Sequence, residues 1–130
     1  ILFEKFIARM VKELDSNAKI QNQDNFNNLI LKPDIILKNQ IIDTKYKKLN
    51  SLNDIKQSDK LQAFSYSINY KVENVMLLYP KDEKDMIYDL VLGEDDNKVE
   101  LKIQMIDLNH DKDNFDEYIC EIKKRVEELL

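Results

Sequence analysis

The amino-acid sequence predicts an α/β sandwich, a central mixed sheet flanked by helices, and three observations carry that expectation. The apolar residues change period along the chain in the order α–β–β–β–α–β–β–β–α. Both ends of the chain carry amphipathic helical stripes. Between them, residues 75–79 form an unbroken apolar run stopped by Pro80, as expected of a strand buried on both faces. The 130 residues are expected to form one domain, since roughly 100–150 is the commonest domain size. An apolar share of 43% supplies a core.

The elements follow in order. Phe3, Phe6, Ile7, Met10, Val11 and Leu14 recur at i, i+3, i+4, i+7, i+8 and i+11, which predicts a helix over 2–15 with Glu4 at the edge of its buried face. Residues 16–28 are polar and Asn-rich, a loop or a poorly formed edge strand. Strands are expected at 29–31, 35–37 and 41–42, with Asn39–Gln40 as a tight turn between the last two. A polar stretch with Asp54 or Ser58 as N-cap leads into a second helix, ending near Tyr70, whose face is marked by Leu61, Phe64, Ser65 and Ile68. After the central strand, 86–92 and 99–108 should form a hairpin around the loop that holds Gly93, the only glycine. Phe115, Ile119, Ile122, Val126 and Leu129 describe a last helix, with Asp113 as its candidate cap.

Composition excludes several classes. No apolar run approaches the ~20 residues that span a bilayer, and no secretory signal pattern is present. The single cysteine, Cys120, forms neither an intramolecular disulfide nor a zinc cage, which points to a reducing, cytoplasmic setting. The lone His110 excludes a His-rich metal site. The chain begins at Ile1 rather than Met, as expected of a piece of a longer protein. Its net charge of −5 is unevenly spread. Residues 1–80 carry 12 Lys/Arg against 9 Asp/Glu; residues 81–130 carry 8 against 16. Strong unaided DNA binding is not expected of such a chain, because phosphate neutralisation supplies much of that affinity.

One constellation carries chemistry: Pro33-Asp34, followed by Asp43-Thr44-Lys45. In a hairpin the two aspartates come close across the strand pair, and alternation sets Asp43 and Lys45 on one face with Thr44 turned away. Two carboxylates and an ammonium suit a hard cation such as Mg²⁺, which takes carboxylate, water and phosphate oxygens. Such an ion polarises a scissile phosphate and activates water. Lys45 would orient or help deprotonate that water, or offset developing charge. Gln62 and Tyr66, at i and i+4 on the second helix, share a face and can hydrogen-bond a phosphate or a metal-bound water. The competing reading is a plain Asp/Lys salt-bridge patch at a sheet end.

Taken together, these residues resemble the PD-(D/E)XK nuclease superfamily, and within it the nuclease domain of the McrC family. The resemblance rests on five stretches in order: Leu2-Phe3-Glu4-Lys5-Phe6-Ile7, Lys32-Pro33-Asp34-Ile35-Ile36-Leu37, Ile41-Ile42-Asp43-Thr44-Lys45-Tyr46-Lys47, Leu61-Gln62-Ala63-Phe64-Ser65-Tyr66 and Leu77-Leu78-Tyr79-Pro80. It implies a restriction-endonuclease-like sandwich and a Mg²⁺-dependent endonuclease domain acting on DNA, with Mn²⁺ as a substitute. It also implies that Asp34, Asp43 and the Thr44 backbone carbonyl bind metal, that Glu4 supports the metal site, that Lys45 assists the water, and that Gln62 and Tyr66 line the site. In that family, cleavage of 5-methylcytosine-containing DNA depends on a GTP-hydrolysing AAA+ partner, engaged through an N-terminal portion to which nothing here corresponds. Double-strand cleavage would need two sites, as in a homodimer or higher assembly, or two successive nicks. Tyr46 and Lys47 are further candidates for contact with DNA, with a core role for Tyr46 the alternative. A catalytically silent nuclease-fold module, docking or positioning DNA, is the rival reading, favoured by the acidic second half. Another enzyme of the superfamily, such as a repair nuclease or junction resolvase, is a third. Cys120, His110 and the acidic pairs of residues 81–130 read as structural or solvated.

Overall fold

In the computed structural model, residues 2–82 and 85–130 are described. The elements are α1 (Leu2–Leu14), β1 (Lys19–Ile20), β2 (Asp24–Phe26), β3 (Leu29–Leu31), β4 (Ile35–Ile36), β5 (Gln40–Thr44), α2 (Gln57–Tyr70), β6 (Asn74–Pro80), β7 (Tyr88–Leu92), β8 (Val99–Ile106) and α3 (Phe115–Leu129). Six strands form one mixed sheet in the order β1-β4-β5-β6-β8-β7, and β2 and β3 pair separately as a hairpin. Strands β5, β6 and β8 are parallel neighbours, while β1, β4 and β7 join antiparallel. This is the α/β sandwich that the sequence predicts.

Two cores form on the two faces of the sheet. Ile7, Met10 and Val11 of α1 and Ile122 and Val126 of α3 meet Ile35, Ile42, Met76 and Leu78 on one face. Ala63 and Tyr66 of α2 meet Ile41, Val75, Leu77, Leu101 and Ile103 on the other. Successive residues of a strand face opposite ways, so the apolar run 75–79 of β6 feeds both cores, and its five residues are buried. The parallel β5–β6 pair requires a long crossover, and α2 supplies it.

Several local expectations shift. The β4–β5 hairpin turns on Lys38 and Asn39, since Leu37 N donates to Gln40 O at 2.8 Å and Gln40 already belongs to β5. The poor turn residue is thereby spared the turn. Short strands β1, β2 and β3 occupy part of the Asn-rich stretch and its continuation, because Asn27 and Asn28 accept the left-handed backbone (φ 56 and 77) that closes the β2–β3 turn. Helix α2 starts between the two expected caps, Asp54 and Ser58, with Lys56 at its N-cap, while Asp54 closes a 3-10 turn at Leu52–Asp54.

The buried face of α2 is also opposite to the expected one. Ala63, Tyr66 and Ser67 are buried, whereas Leu61 is 61% exposed and Ile68 is exposed. Small Ala63 lets the helix approach the sheet closely, and tyrosine buries an apolar ring despite its hydroxyl. Tyr70 completes the stripe: its hydroxyl donates to Asp24 Oδ2 at 2.7 Å and its ring meets Phe26 edge-on, tying the β2–β3 hairpin to α2.

Asn114, not Asp113, caps α3, its Oδ1 accepting from Asp116 N at 2.8 Å and Glu117 N at 3.3 Å. Asn114→Ala should cost about 1 kcal/mol, read as a melting temperature a few degrees lower; an unchanged value would assign the helix end to packing alone. Phe115 is 72% exposed, and Cys120 is exposed. Gly93, at φ 83, sits where an added Cβ would collide with the Asn97 carbonyl oxygen, so the β7–β8 loop needs glycine there. Among the described residues no helix is long and apolar enough to cross a membrane.

Candidate metal-binding site

Register builds the site. In the β4–β5 ladder Ile35 faces Ile42 and Ile36 faces Ile41, so the next pair is Asp34 with Asp43. Both aspartates stand where the strands end, and Asp43 also lies in register with Leu77 of β6. Asp43 is buried, 6% exposed, on the face that α2 covers. Asp34 is half-buried, directly after the buried Pro33.

Lys45 closes one side of the group. Its Nζ lies 2.8 Å from Asp43 Oδ2 and 3.3 Å from Asp59 Oδ1 of α2. Lys47 Nζ reaches the other oxygen of Asp59 at 3.7 Å. Asp59 is a site neighbour that the sequence reading missed. It lies seven residues before Tyr66, two helical turns away on the same stripe, and that spacing was the available signal. The Lys45 ammonium is the partner of the buried Asp43 Oδ2, a charge-assisted contact in a site closed to bulk water.

Electrostatics follow from this crowding. Burial pushes the Asp43 carboxyl up to about 7, the neighbouring Asp34 adds to the rise, and Lys45 opposes it. Glu4 is also held above its ordinary range, by burial and then by Asp34. Burial alone would lower Lys45, but Asp43 and Asp59 outweigh it and its pKa is raised. Tyr66, 3% exposed beneath the carboxylates, is raised by burial and by Asp43 and Asp34.

The remaining candidates are placed as follows. Glu4 of α1 comes against Asp34, and both are bridged by Gln21, whose side-chain Nε2 donates to Glu4 Oε1 and, at 3.2 Å, to Asp34 Oδ1. Gln21 was also missed, since nothing in the Asn-rich stretch marks it. Thr44 does not turn away from the group as alternation predicted. Its N–H and its hydroxyl both donate to Asp34 Oδ2, at 2.8 and 3.0 Å, because Asp34 precedes β4 and its carboxyl reaches across the end of β5. Gln62 is exposed on α2, with no hydrogen bond to the carboxylates among the described residues. Tyr46 is 76% exposed, its ring 6.1 Å from Phe3, and it lines an open apolar groove with Phe6, Phe115 and Tyr118.

The donors gathered here are oxygens, which suit a hard cation. Among the described residues no three Asp, Glu, His or Cys side chains are arranged to hold a metal ion. A cation at Asp34 and Asp43 would therefore draw on backbone, amide or water oxygens as well. The chemistry of the donor set, two carboxylates facing each other across β4–β5 with neutral oxygens at hand, is what fits an ion.

A family profile described as McrBC 5-methylcytosine restriction system component matches residues 1–80. No curated protein matches. Among solved structures, a chain of the refined half-complex from the tetradecameric assembly of Thermococcus gammatolerans McrB AAA+ hexamers with bound McrC superposes with a TM-score of 0.70 at 13% identity. The likeness covers 99% of this chain and 33% of that one, so this chain spans about a third of the matched length. At that identity the likeness speaks for the fold alone.

Proposed function

The chain belongs to the McrBC 5-methylcytosine restriction system component family, and from that premise we propose that it is the Mg²⁺-dependent endonuclease domain of the cleavage subunit, of the McrC kind. The observation that carries the proposal is Asp34 facing Asp43 across β4–β5, with Lys45 beside Asp43. Asp34, Asp43 and the Thr44 carbonyl would hold the ion, Mg²⁺ or Mn²⁺, with Glu4 in support. The ion would polarise the phosphate and activate water.

The chain's own residues do the rest. Lys45, with its pKa raised, carries its proton at neutral pH, so it contributes a fixed positive charge and an N–H donor rather than a proton acceptor. Asp59 positions Lys45 and Lys47 from α2. Tyr66 supports the carboxylates from below, and Gln62, exposed on the same helix, is free to meet a phosphate. Tyr46 and Lys47 follow Lys45 at the surface and would flank the DNA. An AAA+ partner, assembly into more than one copy and a cytoplasmic setting belong to the same proposal, as does the place of residues 1–130 as one domain in the C-terminal part of a longer chain.

The test is calorimetric titration of Mn²⁺ or Mg²⁺ into the chain and into Asp43→Asn, with and without a DNA duplex. Binding lost in the variant supports the proposal. Identical traces would favour a silent docking module, a reading to which the absence of a three-carboxylate cluster among the described residues lends weight. Asp59→Asn gives a second check: cleavage should fall by roughly tenfold, about 1.4 kcal/mol, with metal affinity kept. A cleavage rate equal to wild type would show that Asp43 alone positions Lys45.

A further inference from the structure

Gln21 sits where the acidic side chains meet, and nothing in the proposed function uses it. Its backbone N–H donates to Asp34 O at 3.0 Å, continuing the register in which Ile20 faces Ile35. Gln21, Asp34 and Asp43 therefore occupy one row across three adjacent strands, spaced at about 4.8 Å per strand. The amide of Gln21 lies between Glu4 and Asp34, and its backbone is left-handed at φ 55. That conformation is costly for a side chain of this type, and it is what brings the amide into the row.

We propose that Gln21 is a direct ligand of the divalent cation through Oε1, completing an oxygen set with Asp34 and Asp43. The amide nitrogen and oxygen exchange places by rotation about the last side-chain bond. A side chain that donates N–H to two carboxylates thus presents its oxygen to a cation lying among them. Glutamine carbonyls are ordinary ligands of hard cations. A further observation points the same way. No three acidic, His or Cys side chains among the described residues are arranged to hold an ion alone, so neutral oxygens have to complete the set, and Gln21 offers one in the row in addition to the Thr44 carbonyl.

The inference rests on the metal-dependent reading, and its test separates the two. Mn²⁺ is titrated calorimetrically into the wild-type chain, Gln21→Asn, Gln21→Glu and Asp43→Asn, and each is melted with and without Mn²⁺. Asparagine tolerates the left-handed backbone while withdrawing the amide by one methylene. Gln21→Asn should bind Mn²⁺ about 10- to 100-fold more weakly, the range seen on losing a residue that supports a metal. Gln21→Glu should match or exceed wild-type affinity, although its metal-free melting temperature falls because a third carboxylate joins Glu4 and Asp34. A purely structural clamp predicts the opposite for Gln21→Glu, since repulsion would weaken both fold and binding. Wild-type affinity in Gln21→Asn, or binding lost in Gln21→Glu, overturns the role of Gln21 while loss in Asp43→Asn keeps the metal site standing. No binding by the wild-type chain overturns both.

Discussion

Asp43→Asn should abolish divalent-cation binding, lower DNA cleavage on the order of a thousandfold, and yet stabilise the metal-free chain at pH 8. The first effects follow from the place of Asp43 opposite Asp34. An ion supplies several kcal/mol of transition-state stabilisation, and each ~1.4 kcal/mol is tenfold in rate. The stability effect follows from burial. An unfolded Asp titrates near ~3.9, whereas burial, with Asp34 beside it, pushes folded Asp43 up to about 7. Between those values the native chain holds a proton that the unfolded chain has lost, so stability falls as pH rises from about 4 to about 7 and then levels off. Asparagine carries no such cost, and Lys45 keeps Asp59 as its partner. Thermal melts across pH should show the variant higher by several degrees at pH 8, at roughly 4 °C per kcal/mol, and the gap closing toward pH 4. A variant less stable than wild type at pH 8 would mean that the Lys45 ion pair outweighs burial of the charge.

Leu77→Ala should produce the largest loss of stability. Leu77 is 1% exposed at the middle of β6, in register with Asp43 on one side and Ile103 on the other. Truncating such a leucine costs about 2–5 kcal/mol through lost burial and the cavity left behind. Against a total of roughly 5–15 kcal/mol for a domain, that is a large share. Urea unfolding should give a lower midpoint with an unchanged slope. A loss below about 1 kcal/mol would show that α2 settles into the gap.

Much of the fold was legible because apolar period is a local property of the chain. The α1 stripe from Phe3 to Leu14, the unbroken apolar run in β6 and the stripe from Ile119 to Val126 each state their element and most of their buried face. The weak element was α2. Its hydropathy favours Leu61 and Ile68, but close approach at Ala63 and burial of tyrosine rings turn the opposite face inward. Caps moved by a residue or two, from Asp113 to Asn114, where neighbouring polar residues offer similar caps and geometry chooses, and from Asp54 or Ser58 to Lys56, whose side chain makes no capping hydrogen bond.

The candidate site divides in the same way. Asp34 and Asp43 were readable as a pair because a short hairpin joins them and spacing along two strands sets what stands opposite. Lys45 followed from alternation along β5. Asp59 and Gln21 were not readable, because each reaches the carboxylates from another element, α2 in one case and the left-handed end of β1 in the other. Thr44 departed from alternation for a related reason, since the carboxyl it bonds lies beyond the strand end. The sequence by itself determined the α/β order, the central strand and the paired aspartates, all consequences of local period and short-range pairing. Tertiary structure alone decided which side chains surround that pair, because those contacts depend on how α1, α2 and β1 dock on the sheet.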